Sequence, residues 1–125
     1  MRLLLDTHVL LWWLAADPTL SAGARDAISD PDAEVLVSAA SAWEISIKKA
    51  LGLLDAPPDL EPMLERHGFI ALPIDVRHAL LAGELPRHHE DPFDRMLVAQ
   101  AQIEELTIVS RAGRITAYGV PVIEA

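Results

Sequence analysis

Three acidic residues of this chain follow apolar segments at places where a carboxylate could do chemistry. Asp6 comes directly after the apolar run 3–5, which is too short for a helix and typical of a strand buried on both faces of a parallel sheet. Glu44 lies within two turns after a second apolar strand, and Asp94 lies in the first turn of a long predicted helix. Ligands of open α/β sheets bind at the carboxyl edge of the strands. We therefore expect Asp6, Glu44 and Asp94 to converge at that edge.

Such a carboxylate cluster is unstable by itself. Two unit charges about 4 Å apart repel by ~4 kcal/mol at an effective dielectric constant near 20, so the cluster needs either raised pKa values or a bound cation. The chain contains no cysteine, and ligation by oxygen alone favours a hard ion, Mg²⁺ or Mn²⁺. A cation held by a few carboxylates with open coordination positions is suited to polarising a phosphodiester and generating hydroxide. The pattern therefore indicates metal-dependent phosphodiester hydrolysis.

Each acid also has an explanation that needs no metal. Asp6 could cap the helix that follows it. Glu44 could pair with Lys48 at i,i+4, which is worth only a few tenths of a kcal/mol. Asp94 could simply favour the helix dipole. Both kinds of explanation stay open for each residue taken singly, and only the shared position at strand ends favours a joint metal site.

The elements that must position these acids alternate between strand and helix along the whole chain. This alternation predicts one domain over residues 1–125, a three-layer α/β/α sandwich with a short, mostly parallel sheet. The predicted strands are 3–5, 34–37, 69–72, 107–109 and 120–123. The predicted helices are 9–16, 21–28, 39–51, 60–67, 75–83 and 92–105, with a helical turn at 114–118. We expect the last strand at an edge, because Pro121 cannot donate to a ladder.

The composition excludes several classes of protein. A hydrophobic fraction of 51% supports a substantial core and argues against disorder. No apolar run approaches the ~18 residues of a membrane span, and the N-terminus lacks the features of a secretion signal, so we expect a cytoplasmic protein. The chain has 10 Lys and Arg against 19 Asp and Glu, a net charge of −9. This balance argues against binding nucleic acid by charge alone, but it allows phosphates held through metal ions, and a basic partner.

Three segments carry the acids, and their sequences are Leu3–His8 (LLLDTH), Ser41–Ile45 (SAWEI) and Asp91–Ala101 (DPFDRMLVAQA). In order and spacing they resemble the signature blocks of PIN-domain proteins, particularly VapC-type toxins of bacterial toxin–antitoxin pairs, essentially from end to end. The resemblance implies a Mg²⁺- or Mn²⁺-dependent endoribonuclease that is inhibited by a cognate antitoxin. It places Asp6, Glu44 and Asp94 at the catalytic and metal-binding positions. Asp91 matches a nearby acid, for which helix capping is the expected role.

The segment after the fourth strand departs from the family pattern. PIN-domain proteins typically have Ser or Thr there, then any residue, then Asp. This chain has Ser110, Arg111 and Ala112, so the supporting hydroxyl is kept and alanine stands in the place of the fourth acid. Three explanations are open: a natural variant of weakened activity, a catalytically inactive PIN-fold binding module that still binds an antitoxin, and a chain altered to disarm a toxic nuclease.

Other features allow two interpretations each. Trp12 and Trp13 lie on a helix that is apolar nearly all round, and they are either core residues or part of a homodimer or partner surface. His88 and His89 could contact RNA or metal, although a solvated loop is favoured. Several cations could form a rim for phosphates or serve solubility alone: Lys48, Lys49, Arg87, Arg95, Arg111 and Arg114. A regulatory receiver domain is disfavoured, because Asp6 stands without a second acid beside it and no lysine follows Lys49.

Overall fold

A computed structural model describes residues 1–88, 90–111 and 113–125, with the side chain of Arg114 left undescribed. Its centre is a five-stranded sheet whose strands all pair in parallel. The strands are β1 (Arg2–Leu5), β2 (Glu34–Ser38), β3 (Ile70–Leu72), β4 (Thr107–Ser110) and β5 (Val122–Glu124). Their order across the sheet is β3-β2-β1-β4-β5, so β1 is central and β5 is an edge strand as expected.

Six helices connect and cover these strands. They are α1 (Thr7–Leu14), α2 (Ala22–Ser29), α3 (Ala39–Ala50), α4 (Leu60–Arg66), α5 (Val76–Glu84) and α6 (Pro92–Glu104), with a 3₁₀ helix at Gly113–Tyr118. The predicted helix bounds differ from these by one or two residues. None of the helices in the described ranges is long and apolar enough to cross a membrane.

The core lies on both faces of the sheet, which confirms the predicted three-layer sandwich. Leu3 and Leu5 face a layer formed largely by α1 and α2, whereas Leu4 faces a layer formed by α5 and α6. All three side chains are fully buried. Where β1 pairs with β4, Leu4 lies opposite Ile108, and both side chains belong to the core on the α5 and α6 side of the sheet. A continuous apolar run in β1 is therefore explained by burial on both faces.

The turns at the carboxyl edge of the sheet are very short. Asp6 alone separates β1 from α1, and α3 follows β2 without a connecting residue, because Ser38 ends the strand and caps the helix. The helix α6 approaches the same edge with its N-terminus, since its other end lies at the start of β1, where Arg2 Nη1 donates to the Glu104 carbonyl oxygen at 2.7 Å. Thus the ends of β1, β2 and β4 and the start of α6 share one edge.

The two tryptophans of α1 are both partly buried by neighbours in the same chain. The guanidinium of Arg111 lies over the Trp12 ring, 4.6 Å from its centroid. Trp13 donates from Nε1 to His67 Nδ1 at 3.3 Å and packs near Phe69. These contacts explain why each ring is partly buried. The homodimer expected from this helix stays a prediction.

Candidate active site

Asp6 lies between β1 and α1, and its side chain is hydrogen-bonded to residues of α1 and β4. Its side chain is buried, and one oxygen accepts from the Val9 amide at 2.9 Å, which caps α1. The other oxygen accepts from the Ser110 hydroxyl at 2.5 Å. Burial raises the pKa of Asp6, while the hydrogen bonds from Ser110 and Val9 and the charge of His8 oppose this rise and the charge of Glu44 adds to it. Asp6 is thus a helix cap and, at the same time, a buried carboxylate held close to a second acid.

Glu44 is also buried, and each of its oxygens has a partner. The Thr7 hydroxyl donates to Oε1 at 2.5 Å, and the Lys48 ammonium lies 2.7 Å from Oε2. The expected i,i+4 pair with Lys48 is therefore present. The pKa of Lys48 is raised, chiefly by this hydrogen bond, with burial opposing, and also by the negative charges of Glu44, Asp91 and Asp94. The ammonium of Lys48 thus lies in the combined field of acids from α3 and α6.

The two acids at the start of α6 differ in their local roles. Asp91 Oδ1 accepts from the Phe93 amide at 2.9 Å and from the Asp94 amide at 3.4 Å, so Asp91 is the cap expected of it, and Pro92 fills the first helical position. Asp94 lies one turn further on, partly buried, near enough for its charge to act on Lys48. The cap fixes where α6 begins and therefore where the Asp94 carboxylate lies.

The sequence-predicted acids lie on elements that meet at one edge of the sheet: Asp6 caps α1, Glu44 lies in α3, and Asp94 lies in the first turn of α6. The charge of Glu44 acts on Asp6. The charges of Glu44, Asp91 and Asp94 all act on the ammonium of Lys48. Ser110 is fully buried and supports Asp6. Ala112 and His89 lie outside the described residues. The donors are all oxygens with an excess of negative charge, and one ammonium, that of Lys48, already lies against Glu44. This donor set fits a hard divalent cation.

A different group of ligand-type side chains lies at the other end of α6. Asp75, His78 and Glu104 place one potential ligand atom each within 4.8 Å of one another, and no other such group of three occurs among the residues described. Asp6, Glu44 and Asp94 do not form such a close group, and both oxygens of Glu44 are already bound, by Thr7 and Lys48. The sequence gives little sign of this second group, since Glu104 is far from the other two along the chain.

The hydrogen bonds of His78 explain this second group without a metal. His78 Nδ1 accepts from the Asp75 amide at 3.1 Å, which leaves Nε2 to donate to Glu104 Oε1 at 3.0 Å. The Arg77 guanidinium lies 3.5 Å from Asp75 and 3.6 Å from Glu104, so a cation already balances both carboxylates. The group therefore joins the start of α5 to the end of α6.

Thr7 is a site residue whose role the sequence does not reveal beyond helix capping. Replacing Thr7 with valine keeps the shape but removes the hydroxyl that donates to the buried Glu44. We expect the free energy of unfolding to fall by about 1–3 kcal/mol, the usual cost of leaving a buried polar group without its hydrogen bond. Urea denaturation measures this loss. The Thr7→Ser control keeps the donor and should retain most of the stability, and equal losses in both variants would contradict the role assigned to the hydroxyl.

Comparisons with known proteins agree with this fold. The family model of the PIN domain matches residues 3–119. The comparison with curated proteins gave no match. The chain is similar to a solved structure of FitAcB from Neisseria gonorrhoeae, with 23% identity over 98% of this chain and 96% of that one and a TM-score of 0.61.

Two further solved structures have higher structural similarity at lower identity. VapBC2 from Rickettsia felis, bound to a DNA fragment from its promoter, has 12% identity over 100% of this chain and 99% of that chain, with a TM-score of 0.75. DNA-bound VapBC from Salmonella typhimurium has 18% identity over 99% and 98% of the two chains, with a TM-score of 0.73. At these identities the similarity shows a common fold.

Proposed function

The chain belongs to the PIN-domain family, and on that premise we propose that it is a ribonuclease toxin of a toxin–antitoxin pair that depends on Mg²⁺ or Mn²⁺. The main support for this proposal is that Asp6, Glu44 and Asp94 lie on elements that start at one edge of the sheet, with the ammonium of Lys48 bound to Glu44. The similarity to VapBC structures supports the toxin assignment.

Each residue of the cluster has a role in this proposal. Asp6, Glu44 and Asp94 would hold the cation through carboxylate oxygens. A bound divalent cation supplies Lewis-acid polarisation of the phosphodiester and lowers the pKa of coordinated water. Ser110 and Thr7 hold the carboxylates in place by donating to Asp6 and Glu44. Such supporting hydrogen bonds matter because ligands that are already oriented lose little freedom on binding.

The antitoxin is proposed to be a basic polypeptide. Glu44 of the acid cluster already forms an ion pair with Lys48. An arginine from a partner could form charge-assisted, bidentate hydrogen bonds with the carboxylates of this cluster. The chain's net charge of −9 favours a partner of opposite charge.

A homodimer is also part of the proposal. Light scattering at micromolar concentration tests it, and a monomer would count against it.

A second candidate function is a binding module that keeps the fold and the antitoxin but does not cleave RNA. Alanine at position 112, where the family typically has a fourth acid, favours it. The two functions differ in what the cation does: a nuclease needs it for turnover, whereas a binding module does not.

RNA cleavage by the purified chain separates these functions. We expect an end-labelled single-stranded RNA to be cut in Mn²⁺, because the cluster supplies oxygen ligands for the ion, and to stay intact when EDTA is added. Gel electrophoresis of the fragments measures the rate. An RNA that stays intact in Mn²⁺ with this chain and also with its Ala112→Asp variant would overturn the nuclease assignment in favour of the binding module.

A further inference from the structure

An exposed aromatic pair lies beside the candidate site. Trp43 of α3 is 62% exposed, and its ring meets that of Phe93 of α6 edge to face, with centroids 5.5 Å apart and planes at 71°. Each ring immediately precedes an acid of the cluster, since Glu44 follows Trp43 and Asp94 follows Phe93. The indole of Trp43 therefore lies against the start of α6 and is not buried in the core.

Among the described side chains, three cations near the site make contacts within the protein. Lys48 is bound to Glu44. Arg95 donates to main-chain carbonyl oxygens at the end of α5, and Arg111 donates to the carbonyl oxygens of Thr19 and Ala125 while covering Trp12. With a net charge of −9 as well, the protein has little means of holding a polyanion through phosphate contacts. Without a bound cation, part of its affinity for RNA should therefore come from contacts that carry no charge.

We propose that Trp43, supported by Phe93, is a stacking platform for an unpaired RNA base beside the acid cluster. This inference rests on the proposed nuclease function. Stacking on an aromatic ring needs no charge and tolerates any base, because every base has a π-face. It does need a base that is unstacked from its neighbours, as in single strands, loops and bulges. The exposed indole thus restricts the substrate to RNA with unpaired bases near the cut.

The affinity for RNA in EDTA tests this proposal without reference to cleavage. The probe is a fluorescently labelled single-stranded RNA of mixed sequence, and anisotropy gives Kd. We expect Trp43→Ala to weaken binding roughly ten-fold, within the range found when stacking aromatics are removed, and Trp43→Phe to keep most of the affinity. Val76→Ala is the matched control, because Val76 is 73% exposed and begins α5 at the far end of α6. It should bind like the unaltered chain.

Two further measurements test the proposal: the salt dependence of RNA binding, and the affinity for single-stranded compared with fully paired RNA. Trp43→Ala should leave the slope of log Kd against log salt unchanged, because no phosphate contact is lost. Fully paired RNA of the same sequence should bind weakly and equally to the unaltered chain and the variant. Equal Kd values of both for single strands would overturn the proposal, as would failure of the unaltered chain to bind them. Loss of a dimer in Trp43→Ala with unchanged RNA affinity would assign the pair to a contact between copies and also overturn it.

These outcomes separate the stacking platform from the nuclease itself. RNA that binds in a Trp43-dependent manner but is never cut would refute the nuclease and leave the platform standing. RNA that is cut with the same KM by the unaltered chain and by Trp43→Ala would refute the platform and leave the nuclease standing.

Discussion

Replacing Ala112 with aspartate is expected to increase Mn²⁺-dependent RNA cleavage by about 10- to 100-fold, the usual range for a group that orients a metal site. Position 112 comes two residues after Ser110, the last residue of β4. The Ser110 hydroxyl donates a hydrogen bond to Asp6. A carboxylate there would complete the acid set of the family and improve the orientation of an ion such as Mg²⁺, which demands near-octahedral geometry. We expect the stability of the metal-free protein to hold or to fall slightly, because a further like charge enters the cluster.

The control for this variant is Ala112→Asn, which adds a side chain of similar size without charge and should leave cleavage low. Rates at saturating Mn²⁺ compare the three proteins, and expression of Ala112→Asp without an antitoxin should harm the host. Equal cleavage by the unaltered chain and Ala112→Asp at saturating metal would contradict the prediction and show that Asp6, Glu44 and Asp94 suffice.

Replacing Asp94 with asparagine is expected to reduce cleavage by more than ~100-fold, above the usual loss for a merely supporting residue. Asparagine keeps the size of the side chain and suits the first turn of a helix, so the fold should persist. The change removes a carboxylate charge that acts on Lys48 and, in the proposed site, a ligand of the cation.

Asp91 provides the matched control, because it lies one turn earlier and caps α6 through its side-chain oxygen. Asparagine caps helices as well as aspartate does, so Asp91→Asn should change the cleavage rate only a few-fold. Initial rates with labelled RNA measure both variants. A large loss in Asp91→Asn together with a small one in Asp94→Asn would exchange the roles of the two acids.

Much of the fold is predictable because strong local signals agree with the tertiary structure. The apolar run before Asp6, the cap at Ser38 and the Asp91-Pro92 start of α6 each specify a boundary within one or two residues. The order of the strands is not readable in this way, because it depends on which apolar faces pack best over the whole domain. The resemblance to PIN-domain proteins implies a joint role for Asp6, Glu44 and Asp94, which periodicity alone leaves open.

The site is only partly predictable because side-chain contacts join residues far apart in sequence. Spacing along α3 places Glu44 near Lys48, and the structure confirms this pair. No periodicity links Thr7 to Glu44 or Trp43 to its ring partner Phe93 on α6. The fold decides these contacts by bringing the starts of α1, α3 and α6 together at one edge of the sheet.

Thermal unfolding with and without Mn²⁺ shows whether a cation binds at Asp6, Glu44 and Asp94. A ligand at a hundred-fold excess over its Kd stabilises the folded state by about 2.7 kcal/mol, which for a domain of this size raises Tm by roughly 10 °C. We predict that increment for the unaltered chain, measured against its own metal-free form. It should vanish in Asp94→Asn and persist in Glu104→Gln, which alters the Asp75, His78 and Glu104 group instead. An increment that persists in Asp94→Asn and vanishes in Glu104→Gln would contradict the account and place the ion at the other end of α6.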